Sequence, residues 1–168
     1  MNGRRSRWNG RRPRWGALLL AALVTVIAPT WARAAENLRL APVLSFTDDS
    51  SSRFPIEGDR LGDAELVKGR AALVFFGAAH CWNTNREAER VVALYPKFRD
   101  RVRFILVDVG HPSDDQRSLM KAHYHGYIPT LAILAADGTV IYERSGETAA
   151  ERGDSRALGA LLEKATGN

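Results

Sequence analysis

The sequence predicts an α/β domain with a mixed central sheet and helices on both faces. Three observations carry this. Two apolar runs, Ala71 to Gly77 ("AALVFFG") and Val102 to Val109 ("VRFILVDV"), are short and nearly continuous, the pattern of strands covered on both sides. Stretches with helical spacing separate and follow them. A further segment, "TLAILAADGTVIYER", reads as a β-hairpin with Asp137-Gly138 at the turn. The order is therefore strand, helix, strand, helix, hairpin, helix. Its first half is a parallel unit that needs a right-handed crossover, and its second half is antiparallel.

The chain opens with a segment unlike the rest. "MNGRRSRWNGRRPRW" has six arginines and no acid, "ALLLAALVTVIA" (Ala17 to Ala28) is an apolar core, and "ARA" ends the segment at Ala34. A basic region, a short apolar core and a small-x-small end make a secretory signal peptide over residues 1–34. The apolar core is short for a membrane span, which needs about 20 residues; membrane attachment follows only if the leader stays uncleaved. Arg11-Arg12 leaves both the Sec and the twin-arginine route open. Export places the chain in the periplasm or outside the cell, where conditions are oxidising.

The leader also distorts the charge balance. It holds seven of the 24 Lys and Arg residues and none of the 19 Asp and Glu, so the chain from Ala35 onward is two net negative. The sequence pI of about 9.8 belongs mostly to the leader. Nothing in the remainder predicts a nucleic-acid partner, which requires a basic face on the folded domain. About 134 residues are enough for one domain with a core of its own.

Residues 35–60 read as an N-terminal extension. "LRLAPVLSF" has strand character, "TDDSSSR" is a polar loop, and "GDRLGDAELVKGR" is a turn-rich lead-in with a short helix. After the first core strand, Glu87 to Phe98 carries a helical stripe at Ala88, Val91, Val92, Tyr95 and Phe98, and Pro96 kinks or ends it. In "SDDQRSLMKAHY", Ser113 and Gln116 form a capping box, and Leu119, Met120 and His123 share a face. A last helix follows Asp154, with Leu158, Leu161, Leu162 and Ala165 at i, i+3, i+4 and i+7.

The candidate chemistry centres on "AAHCWNT". Cys81 is the only cysteine, at the junction between the first core strand and the following helix. There the helix macrodipole and free N–H groups favour a thiolate, and a charged His80 adds to this. A lone cysteine in an exported protein pairs with another molecule or stays a free reactive thiol. Thr84 has two readings: its hydroxyl bonds to the Cys81 thiolate, or it caps the helix in a Thr-x-x-Glu box with Glu87. Trp82, the one tryptophan after the leader, either offers a contact surface to a client peptide or packs onto the fold. His123 and His125 in "HYH" together with Cys81 would suit copper or zinc, but His123 lies on an apolar helical stripe and is expected to pack instead. His111, before Pro112, belongs to a turn. No metal and no cofactor are called for.

This arrangement resembles the thioredoxin-like superfamily. The likeness rests on a cysteine directly after the first core strand, on "YIPTLAIL", on "ADGTV", on Gly146 in "RSGE", and on Asp108 and Tyr124; it covers about Leu61 to Ala165. The resemblance implies a thioredoxin-like domain over 61–168 of an exported member. It also implies a cis proline at Pro129 beside the active cysteine, with Ile128 and Pro129 lining the groove that holds a client's extended backbone. Two departures matter. The family's Cys-x-x-Cys is here Cys81-x-x-Thr84, and Phe75 stands where many members bury an acid. The two-cysteine cycle is absent, so the resemblance implies a monothiol thiol–disulfide oxidoreductase. Cys81 would be the nucleophile, tuned by Thr84 and His80. Its partners would be protein thiols or disulfides, with glutathione or another external thiol as reductant, and a disulfide-linked homodimer would be one product. The alternative is a non-enzymatic binding module that keeps the peptide groove without turnover. A copper-handling protein is a distant third.

Overall fold

The computed structural model describes residues 35–146 and 154–167. The signal-peptide reading of residues 1–34 lies outside them. Strands β1 (Glu36–Leu40) and β2 (Ile56–Asp59) pair antiparallel as a small separate sheet. Then come β3 (Ala71–Gly77), α1 (Trp82–Phe98), β4 (Val102–Asp108), a 3-10 turn (Asp114–Gln116), α2 (Arg117–His123), β5 (Thr130–Leu134), β6 (Val140–Ser145) and α3 (Arg156–Ala165).

The main sheet has the order β4-β3-β5-β6. Strand β3 runs parallel to β4 and antiparallel to β5, so the sheet is mixed as expected. All seven residues of β3 are buried, the signature of a strand covered on both faces. On one face Leu73, Phe75, Phe104, Leu131 and Ile133 pack with α1 and α3. On the other, Val74, Phe76, Ile105, Val107 and Ala132 pack with Leu119 of α2. Helices thus lie on both faces, and alternation along each strand decides which side chains meet which helix.

Residues 35–60 share this core. Ala35, Leu38 and Ile56 belong to the same apolar cluster as α1 and α3, and the Asn37 N–H donates to the Tyr95 hydroxyl of α1 at 3.1 Å. The short helix expected in "GDRLGDAELVKGR" is not there. Gly58 and Asp59 end β2 and the rest of the segment forms turns; at Gly58 a Cβ would meet the Glu36 carbonyl oxygen at 2.6 Å. The backbones of β1 and β2 approach too closely for any side chain at that position.

Helix α1 begins earlier than its apolar stripe. Its N-cap is Cys81, not Thr84, which corrects the capping-box reading. Glu87 cannot serve such a box because its carboxylate is used elsewhere. It is fully buried and bonds Arg90 at 2.8 Å and Arg144 of β6 at 2.7 Å. Pro96 lies inside the last turn, and the helix stops two residues later at Phe98, as its missing N–H and ring bulk dictate. Farther along, Ser113 and Gln116 form the expected capping box, with the Ser113 N–H donating to Gln116 Oε1 at 3.1 Å. Gly138 has φ +88 in the β5–β6 turn, the left-handed conformation that glycine adopts without strain.

Candidate functional site

Strand pairing brings the candidate residues to one end of the sheet. Phe76 of β3 faces Thr130 of β5, and Thr130 faces Ser145 of β6. Gly77 pairs with Asp108, the last residue of β4. The chain leaving β3 toward Cys81 and the chain entering β5 through Pro129 therefore meet at the same edge. The Ile128–Pro129 bond is cis. Pro129 is held by the Gly146 N–H, which donates to its carbonyl at 2.7 Å. Thr130 Oγ1 donates to the Tyr127 carbonyl at 2.7 Å, closing the turn before β5. Tyr127 is 68 % exposed and Ile128 half-buried, so this loop presents apolar surface next to the cysteine end. Strand order β4-β3-β5-β6 with β5 alone antiparallel to β3, the cysteine at the β3–α1 junction and the proline at the start of β5 decide the matter. The fold is thioredoxin-like.

Comparison with solved structures returns thioredoxins. Thioredoxin-2 of the malaria parasite, described as a component of its protein secretion machinery, is 20% identical over 61% of this chain and 89% of its own, with a TM-score of 0.47. The chloroplastic thioredoxin z is 16% identical over 60% of this chain and 81% of its own, with a TM-score of 0.46. The thioredoxin of Fasciola hepatica is 24% identical over 58% of this chain and 82% of its own, at 0.43. No protein-family model and no curated protein matches the chain. The fold assignment stands on the chain's own strand order.

Cys81 is a free, half-buried cysteine. As N-cap of a 17-residue helix it lies where the macrodipole acts most strongly, yet its side chain makes no capping bond. The first helical N–H, that of Trp82, is instead taken by Asp49, whose Oδ1 accepts it at 2.9 Å. His80 is exposed, has φ +56, and donates its backbone N–H to the Ser51 carbonyl at 2.8 Å. Asn85 Nδ2 donates to Ser51 Oγ at 2.9 Å and to the Ser45 carbonyl at 2.5 Å. Arg86 Nε donates to the Phe46 carbonyl at 2.9 Å, and its guanidinium lies 5.0 Å from the centre of the Trp82 ring. Trp82 is half-buried under this cation.

The polar loop 45–51 is therefore a strap across the N-terminus of α1. It is internally ordered: the Ser45 N–H donates to Ser51 Oγ at 2.7 Å and the Ser50 N–H to Asp48 Oδ1 at 3.0 Å. Hydrogen bonds from the Ser50 and Ser45 side chains hold the Asp48 carboxyl below its ordinary value.

Thr84 lies one turn into α1. It is fully buried, its Oγ1 has no hydrogen-bond partner, and its Cγ2 stands 2.5 Å from where a Gly77 Cβ would be. Gly77 must be glycine for the threonine to fit. The hydroxyl makes no bond to Cys81, so packing is the role this geometry gives it.

The histidines go elsewhere. His123 Nδ1 is 2.9 Å and His125 Nε2 2.7 Å from opposite oxygens of Glu143 on β6. Burial raises the Glu143 carboxyl, but the bonds from His123 and His125 outweigh that and leave it below its usual value. His123 is thus bonded at the rim rather than sealed in the core. Among the described residues, no three His, Cys, Asp or Glu are grouped to hold a metal ion. His111 closes a turn, its N–H donating to the Asp108 carbonyl at 3.0 Å. Among the described residues no helix is long and apolar enough to cross a membrane.

Sequence reasoning missed Asp49 and Glu143. Asp49 meets Trp82 across 33 positions in the chain, and no local pattern signals such a contact. Glu143 could be read only as an outward residue of an alternating strand.

Proposed function

We propose that this chain takes part in thiol–disulfide exchange through Cys81, by a monothiol mechanism. The observation that carries the reading is positional. The chain's one cysteine is the N-cap residue of the helix after β3, at the sheet edge where the Pro129 loop offers exposed Tyr127 and half-buried Ile128. The Cys81 thiolate attacks one sulfur of a disulfide R–S–S–R′. A Cys81–S–S–R bond forms, the R–S–S–R′ bond breaks, and R′S⁻ leaves and takes a proton. No second thiol lies in the chain, so an external thiol such as glutathione attacks the mixed disulfide and returns Cys81. Protein thiols or disulfides are the partners of this reading, and a homodimer joined through Cys81 is its side product.

Export belongs to the same reading. The leader over residues 1–34 delivers the domain to an oxidising compartment, and the exported protein begins at Ala35. Isolated from that compartment with free thiols blocked, the protein should migrate partly as higher-mass species on a non-reducing gel. Reductant collapses these to one band, and Cys81→Ser never forms them. A single unmodified monomer contradicts the mechanism.

A second reading, a binding module without turnover, is favoured by one observation: Thr84 Oγ1, at the position of the family's second cysteine, is buried and bonded to nothing. Under that reading the same gel shows only monomer.

A further inference from the structure

We propose that Asp49 is a restraining residue for Cys81: its carboxylate occupies the anion position at the N-terminus of α1 and holds the thiol in a less reactive state until the strap 45–51 moves. The inference rests on the exchange reading of Cys81. A helix N-terminus stabilises one nearby negative charge through its dipole and its unpaired N–H groups. Here the Trp82 N–H, the first of the helix, is already donated to Asp49 Oδ1 at 2.9 Å. Cys81, at the N-cap, makes no capping bond through its side chain. A thiolate at Cys81 would thus share its helix end with a carboxylate that is already bonded there, and like charges repel.

The strap is built to keep Asp49 in place. On one side of it the Ser51 carbonyl accepts the His80 N–H and Ser51 Oγ accepts from Asn85; on the other, the Ser45 carbonyl accepts from Asn85 and the Phe46 carbonyl from Arg86. Every one of these anchors lies on Asn85, Arg86 or the chain just before α1, so the strap grips the helix end that carries the cysteine. His80 is exposed beside Cys81, Arg86 is turned over the Trp82 ring, Asp48 and Asp49 lie in the strap, and Asp108 with His111 stand at the end of β4. Asp49 bonds the first turn of α1 at the Trp82 N–H.

Displacing the strap breaks polar contacts, the buried Ser51–Asn85 bond among them, but little apolar packing: Phe46 is half-buried and no residue of 45–51 belongs to the core clusters. A client that lifts the strap would therefore free the helix end for the thiolate.

The test is the rate at which the full chain is alkylated at Cys81 by iodoacetamide, an uncharged reagent, followed by intact mass at neutral pH in low and in high salt. Asp49→Asn keeps the shape and the acceptor oxygen but removes the charge. It should react about two- to five-fold faster than wild type in low salt, the range of one charge at a helix terminus, and the gain should shrink in high salt. Asp49→Glu should stay near wild type. Ser51→Ala loosens the strap without touching a charge, so a gain in that variant should not depend on salt. Equal rates for wild type and Asp49→Asn overturn the restraint and leave the exchange reading intact. So does an Asp49→Asn gain that salt leaves unchanged and Ser51→Ala reproduces, because the effect is then loosening. No alkylation in any variant removes both.

Discussion

Phe76 faces Thr130 across the antiparallel ladder of β3 and β5. Cys81 follows Phe76 by five positions and Pro129 immediately precedes Thr130, so this one register places sulfur and proline loop at the same sheet edge. The pairing is fixed by burial. A one-residue slip would turn Phe75 and Phe76, both fully buried, toward each other's faces.

Thr84→Cys should convert the site to a two-thiol cycle. Thr84 is one turn along α1 from Cys81, and cysteine is smaller, so Gly77 still accommodates it. The variant should reduce insulin-type disulfides with catalytic turnover where the wild type shows little. A wild type that already turns over as fast as the variant would remove the monothiol mechanism.

The charge cluster under α1 is structural. Glu87 is fully buried between Arg90 and Arg144, bonded at 2.8 and 2.7 Å. Removing one partner of a buried pair leaves uncompensated charge and costs about 3–5 kcal/mol. Glu87→Ala should lose roughly that much in urea unfolding, with Cys81 alkylation unchanged where the variant is still folded. A loss no larger than that of an exposed residue would show that the pair is hydrated.

Acid should act on a surface network. Hydrogen bonds from Arg101 and Lys97 pull the Glu163 carboxyl from 4.5 down to about 2. A folded value below the unfolded one means the contribution is complete above about pH 4.5 and disappears as pH falls toward about 2. The stability gap between wild type and Glu163→Gln should therefore close across that window. The pair is solvent-facing, so the gap is small and narrows further in salt. A gap that is constant with pH would show that Glu163 is not ionised in these bonds.

The fold was legible where apolar periodicity was strong. β3 matches its apolar run residue for residue, β4 ends one residue short of its own, and the Asp137-Gly138 turn lies between β5 and β6 as read. The start of α1 was not legible, because Cys81, Trp82 and Asn83 carry no apolar stripe and the Thr84–Glu87 spacing mimics a cap. Glu87 looked like a capping acid but answers to Arg144, 57 positions away. The lead-in failed for a similar reason: Gly58 is set by its contact with β1, which no window of sequence contains. At the site, the position of Cys81 was readable, but its neighbour Asp49 comes from a loop that composition alone marks only as polar.

Whether Cys81 exchanges with disulfides can be read from the intact mass of the reduced chain after incubation with oxidised glutathione, then after addition of a second thiol. Exchange through Cys81 requires a single glutathionyl adduct on that residue, absent in Cys81→Ser, that the added thiol removes to restore the free chain. A chain that stays unmodified while folded, with Cys81 untouched, would contradict it.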